Sequence, residues 1–249
     1  MPTLQTVEPK RLYRQIAGQL RALIANGEFK AGQRLAAERD LARQLGVSRP
    51  SVREALIALE VEGWVEVRTG SGVYVREREG RASAPAELSE WGPLELIRAR
   101  RVVEGETAAL AAQQATRRDL QAMSRAIEHM RTLADRNEMP LESDRAFHLA
   151  IVAACGNAVL TETVQTFWDS RRGPIFTRLG GYFETVQSWR SAIAEHEAIR
   201  DAIAARDPAA ARAAMHEHMD KSHQRLSASW RRTKASSTED VQTPHEVTR

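Results

Sequence analysis

The stretch Arg39–Leu59, RDLARQLGVSRPSVREALIAL, limits the fold of this chain more than any other. Leu41, Ala42 and Leu45 fall at i, i+1 and i+4, which gives a short helix one apolar stripe. Gly46 suits the left-handed position that ends such a helix. Val47 plugs the turn, Ser48 is an N-cap for a second helix, and Pro50 sits in the first turn of that helix, where a missing N–H costs nothing. Val52, Leu56 and Leu59 then form a buried face, and Arg49, Ser51 and Arg53 are expected to stay outside near the N-terminus. Two short helices joined by a tight turn, the second with a polar and basic start, are the sequence form of a DNA-reading helix-turn-helix.

The flanks extend this unit. Leu12, Ile16, Leu20, Leu23 and Ile24 recur at helical spacing, so the pattern predicts a helix over about residues 10–25, after an untethered 1–8. Trp64–Val67 and Val73–Val75 are short β runs around the glycine-bearing tip RTGSG, a hairpin. Three helices and a hairpin make a winged helix, placed here at residues 9–76. Residues 1–76 hold 12 Lys/Arg against 8 Asp/Glu, a net +4, and the rest of the chain holds 24 against 25. The basic excess thus lies with the helix pair, as phosphate binding requires, although a solvated surface would carry the same charge.

Glu77–Trp91, EREGRASAPAELSEW, has no period and reads as a linker. From residue 92 to 228 the chain reads as helix after helix. Thr116 with Asp119 opens one, Pro140 another, Asn157 a fourth and Asp207-Pro208 the last. Gly180-Gly181 is expected to separate a short helix at Ile175–Leu179 from a long one starting near Thr185. The polar tail 229–249 is expected to be disordered. The predicted fold is mostly α: an N-terminal winged helix-turn-helix and a C-terminal antiparallel bundle of six or seven helices. The one cysteine, Cys155, excludes an intramolecular disulfide and fits a reducing cytoplasm. No apolar run approaches the ~20 residues of a membrane span.

The bundle carries a second constellation. Asp144 and His148 are i, i+4 and share a helix face. His196 lies among Ile193, Ile199 and Ile203, and His218 shares a face with Ala211, Ala214 and Met215. Three imidazoles and a carboxylate from three helices suit a divalent ion, zinc first, with nickel, manganese or iron as alternatives. The competing reading is that these histidines are satisfied core residues. His129, His216 and His223 are read as surface.

The segment from Leu12 to Val75, with its AERDLA, GVSRPSVREAL and glycine-rich wing, closely resembles the DNA-binding domain of the GntR family of bacterial transcription regulators. That resemblance implies that Arg39, Arg49, Arg53 and the wing glycine Gly72 contact DNA, with Ser48 and Ser51 as phosphate or base contacts. Ala36 departs from the proline usual in the family before the second helix. Residues 94–226, through RARRVVEGETAALAA, DRAFHLAIVAACGN, EHEAI and DPAAARAAMHEHM, resemble the FCD ligand-binding domain of the FadR subfamily.

This second resemblance implies that Asp144, His148, His196 and His218 are metal ligands. It also implies that Arg100 holds an effector carboxylate, where the local alternative is a salt bridge to Glu104 at i+4. All four ligand positions are kept, which points away from the metal-free, acyl-CoA-binding members. FWDSRRGPIF is similar to regulators that respond to sugar acids, hexuronates or aldonates. Asn157 is read as a cap, and Trp168, Trp189 and Phe183 as core or dimer packing. Together these imply a cytoplasmic homodimer, a repressor more often than an activator, that reads an inverted repeat in double-stranded DNA and answers to a small carboxylate. Two other readings remain: a dimerisation module with structural histidines, and a metal-dependent hydrolase on a DNA anchor. The hydrolase would need a general base, and no residue is placed for that role.

Overall fold

The computed structural model describes residues 11–77 and 91–228; the expected flexible N-terminus, most of the linker and the tail lie outside them. The head opens with α1 (Leu12–Ala25), α2 (Glu38–Leu45) and α3 (Arg49–Val61), followed by β1 (Val65–Arg68) and β2 (Gly72–Val75). Gly46 closes α2 at φ 66°, and Ser48 caps α3 by accepting the Ser51 N–H at 3.3 Å. The two strands pair antiparallel from Val65↔Val75 to Arg68↔Gly72, and Arg34 bridges to Tyr74 on the outer side. Gly72 has φ 135°, a backbone conformation that favours glycine, and a Cβ there would only have to displace the flexible Arg34 guanidinium.

Seven helices follow: α4 (Pro93–Gln114), α5 (Arg117–Asp135), α6 (Leu141–Ala154), α7 (Ala158–Ser170), α8 (Pro174–Phe183), α9 (Val186–Ala204) and α10 (Pro208–Ser227). Their starts are dictated locally. Thr116 and Asp119 form a capping box, as do Thr185 and Ser188. Asn157 Oδ1 accepts the Leu160 N–H at 3.2 Å, so its role as a cap holds. Asp207 accepts the N–H groups of Ala209 and Ala210. Each such cap stabilises its helix by about 1 kcal/mol.

Gly180-Gly181 does not separate two helices. Both lie inside α8, because Ile175, Phe176 and Leu179 bury one face of it and burial outweighs two poor helix formers. His216 is also not a surface residue: it is half-buried across Gly105, where a Cβ would meet its ring at 2.3 Å. That contact lets α4 and α10 lie close together.

Head and bundle share a core. Leu94, Leu96 and Ile97 of α4, Ile175, Phe176 and Leu179 of α8 and Leu226 of α10 join the cluster that holds Val52, Leu56 and Leu59 of α3. Polar contacts fix the same junction. Glu54 of α3 accepts the Leu94 N–H at 2.7 Å, at the start of α4. Glu60 at the far end of α3 accepts from Arg178 Nε and Nη2 and from the Tyr182 hydroxyl, all at 2.8 Å. Trp91, assigned to the linker from sequence, packs edge-on against Phe167 of α7 at 6.1 Å. A second core joins α4, α5, α6, α9 and α10 around Phe147, Ile127 and Ile199. Among the described residues no helix is long and apolar enough to cross a membrane.

Candidate functional site

The head presents a basic groove. It runs between the start of α2, the start of α3 and the wing, and its lining includes Arg34, Arg39, Arg49, Arg68 and Gly72. Arg39 is exposed, with a 3.6 Å contact to Asp40, and Arg49 is exposed at the first turn of α3. Ser48 and Ser51 sit beside them with their hydroxyls 2.8 Å apart. The start of α3 therefore offers backbone N–H groups, hydroxyls and guanidinium forks on one surface, the combination that receives phosphate and base edges. Arg34 and Arg68 are members that sequence reasoning missed. The guanidinium of Arg68 lies 4.5 Å over the Tyr74 ring, which holds it at the wing.

Contrary to the expectation from its place in VREAL, Arg53 does not stay outside but is 1% exposed. Its Nε and Nη2 donate to Glu38 Oε1 and Oε2 at 2.8 and 2.7 Å, and its guanidinium lies 5.2 Å from the Phe183 ring of α8. One turn beyond Arg49, the α3 face has rotated toward α2 and α8, so the fork is spent on tying the two reading helices together. Its Nη1 is buried with no hydrogen-bond partner.

In the bundle, α6 supplies Asp144 and His148, α9 His196 and α10 His218. All four are buried, and one ligand atom from each lies within 4.8 Å of the others. His196 Nε2 is 3.0 Å and His148 Nε2 3.5 Å from Asp144 Oδ1. Those three atoms have no hydrogen-bond partner, an expensive state for buried polar groups unless something shares them. A common ion about 2.1 Å from each would hold ligand atoms at most about 4.2 Å apart, so the cage fits one after a small contraction.

The outer sphere supports the same function. His148 Nδ1 stands 2.5 Å from Glu104 Oε2, and His218 Nδ1 2.8 Å from Glu195 Oε2. The Glu195 hydrogen bond fixes the His218 ring and leaves its Nε2 for an ion, while the Glu104 carboxylate is an electrostatic neighbour of His148. Burial lowers the pKa of His196 and takes that of His218 well below the usual value, which favours the neutral rings a ligand needs, whereas at His148 burial is outweighed by the Glu104 and Asp144 carboxylates, which raise the pKa. Burial also opposes ionisation of Asp144, but Arg171, 2.5 Å away, and the imidazoles outweigh it and hold the carboxyl well below its ordinary range. Glu104 is held down at about 2, burial being outweighed by Arg100 and His148. Glu104 and Glu195, the carboxylates beside these imidazoles, are residues that sequence reasoning did not assign to the site; their signal was their place inside RVVEGE and EHEAI.

Arg100 is buried and makes the local pair: its Nε donates to Glu104 Oε1 at 2.5 Å, and its guanidinium stacks 4.2 Å over Trp168. It also lines a small cleft beside the cage, together with Asp144, Arg171, Trp189, His218 and Arg225. Trp189 is therefore not only core, because it lines the cleft with Asp144 and His218, and the Trp168 ring lies 5.1 Å from that of His148.

Comparison with known proteins gives the context for this geometry. Residues 12–75 match the family described as bacterial regulatory proteins, gntR family, and residues 95–221 match the FCD domain. The Exu regulon transcriptional regulator of Escherichia coli (strain K12) is 36% identical over 224 residues, covering 87% of this chain and 85% of the relative. The Uxu operon transcriptional regulator of the same strain is 36% identical over 224 residues, covering 87% of each. The HTH-type transcriptional regulator LutR of Bacillus subtilis (strain 168) is 32% identical over 210 residues, covering 79% of this chain and 93% of LutR. These relatives are regulators, not enzymes. The chain belongs to the GntR family and is a DNA-binding transcription regulator with an FCD domain.

Proposed function

We propose that this regulator is a metabolite-responsive repressor that acts in the cytoplasm as a homodimer. Its two heads read an inverted repeat through Arg39, Arg49, Arg68 and the wing at Gly72, because two-fold protein symmetry implies operator symmetry. Ser48 and Ser51 add phosphate contacts, and Arg53 acts indirectly by holding α2 against α3. Asp144, His148, His196 and His218 hold a divalent ion, zinc first. A bound divalent ion supplies positive charge for a carboxylate effector, and Arg100 pairs with the same carboxylate.

The observation that carries this reading is the buried cage with its three unpartnered ligand atoms. Arg100, Arg171 and Arg225 line the cleft beside the cage, cations that a carboxylate would meet there. The similarity of FWDSRRGPIF to sugar-acid regulators suggests a sugar acid.

The test is the metal content of untagged protein purified without chelator. We expect close to one zinc-class ion per chain in wild type and a loss of most of it in His196→Ala that remains folded by circular dichroism. A metal-free wild type, or equal occupancy in both proteins, would favour the reading in which the histidines are structural.

A further inference from the structure

A small inner cleft touches the cage through Asp144 and His218, and a larger space lies on the far side of Arg171 and Glu184. The inner cleft has a volume of only about 20 Å³, room for about one water, and cannot admit a sugar acid as it stands. An outer cavity of about 370 Å³ lies between α6, α7 and α8, with Met139, Leu141, Trp168 and Phe176 on its apolar wall. Arg171 and Glu184 line both spaces. Arg171 Nη1 lies 2.5 Å from Asp144 Oδ2 and its Nη2 3.3 Å from Glu184 Oε1, so this chain of charges is the partition.

We propose that the Arg171–Glu184 pair is the gate of the effector site and the link from that site to DNA. The proposal rests on the carboxylate-effector reading above. The effector's carboxylate takes the Arg171 guanidinium from Glu184, and the two spaces join. The head group then lies against Arg100 and Arg171. The remainder of the molecule occupies the outer cavity. Trp189 Nε1, which is buried with no hydrogen-bond partner and lines the inner cleft, donates to an effector hydroxyl. The class selected is a carboxylate with a hydroxylated body too large for the inner cleft alone.

The link to DNA comes from the position of Glu184. It is the C-cap of α8, directly after Tyr182 and Phe183. Tyr182 and Arg178 hold Glu60 of the reading helix, and Phe183 covers Arg53 of the same helix. A Glu184 that has lost Arg171 loosens the end of α8, and with it the clamp that sets the head's orientation.

Glu184→Gln tests this without any knowledge of the effector. We expect metal content equal to wild type, faster amide hydrogen exchange in α8 and α3, and operator affinity at least fivefold weaker. Glu60→Gln, which opens the clamp from the head side, should give the same exchange pattern. D-Glucuronate and D-gluconate serve as probes, and whichever weakens wild-type operator binding should have a smaller effect on Glu184→Gln. Unchanged exchange and affinity in a folded Glu184→Gln would overturn the gate, whereas absence of metal from wild type would overturn the underlying reading instead.

Discussion

At the scale of single residues, burial sets which charges are usable. Glu54 illustrates this at the junction of head and bundle. Burial pushes its pKa up to about 7, against the Leu94 N–H bond and the Arg98 and Arg53 charges, which favour the carboxylate; Glu95 adds to the upward shift. The folded state thus holds the Glu54 proton more tightly than the unfolded chain, whose ordinary value is 4.5. Stability contributed by this site is highest below pH 4.5, falls as pH rises through 7, and is then lower by roughly 3 kcal/mol. Glu54→Gln removes that penalty, since a neutral amide oxygen still accepts the Leu94 N–H. The expected outcome is a melting temperature above wild type at pH 8 and a difference that shrinks or reverses at pH 5, read by thermal denaturation at both values. Arg53 makes the complementary point. Its place in VREAL marks it for DNA by resemblance, yet whether it faces a groove or the protein depends on what covers α3, and α8 lies more than a hundred residues along the chain.

Among the elements, boundaries set by local chemistry were legible and those set by packing were not. Ser48, Thr116, Asn157 and Asp207 cap the helices that their side chains announced, because a cap needs only its own neighbours. Spacing and apolar stripes put the four candidate ligands on inward faces, but what set them apart from satisfied core residues was the resemblance to the FCD domain. Their carboxylate partners were not legible, since Glu104 and Glu195 look like any surface charge until the helices are assembled. Gly180-Gly181 misled because the cost of two glycines, about 1 kcal/mol each, is small beside a buried face of Ile175, Phe176 and Leu179. That difference gives α8 a measurable weakness. Gly181 is exposed, its φ is not in the left-handed region, and a Cβ there meets nothing within 4 Å. Gly181→Ala should therefore stabilise the protein by about 0.5–1 kcal/mol and raise Tm by roughly 1–4 °C in calorimetry.

For the whole molecule, the division of charge is the main constraint on how it meets DNA. The chain is close to neutral, at a formal +3, so attraction to a duplex cannot come from net charge and has to come from a local arrangement. The groove supplies one: Arg34, Arg39, Arg49 and Arg68 converge between α2, α3 and the wing, while Arg53 is withdrawn onto Glu38. Each guanidinium seated on a phosphate releases about one counterion, and the logarithm of the binding constant falls with the logarithm of salt in proportion to their number. Arg68, held over Tyr74 at the wing, is placed for backbone contact more than for base reading. In a dimer with both heads engaged, Arg68→Ala removes two such contacts, so the salt slope of operator binding should become shallower by about 2, with little change in sequence preference. A change of about 1 would mean that one head binds at a time, and no change would remove Arg68 from the interface. Fluorescence anisotropy titrations over a series of salt concentrations separate these outcomes, because the slope counts contacts whatever the absolute affinity.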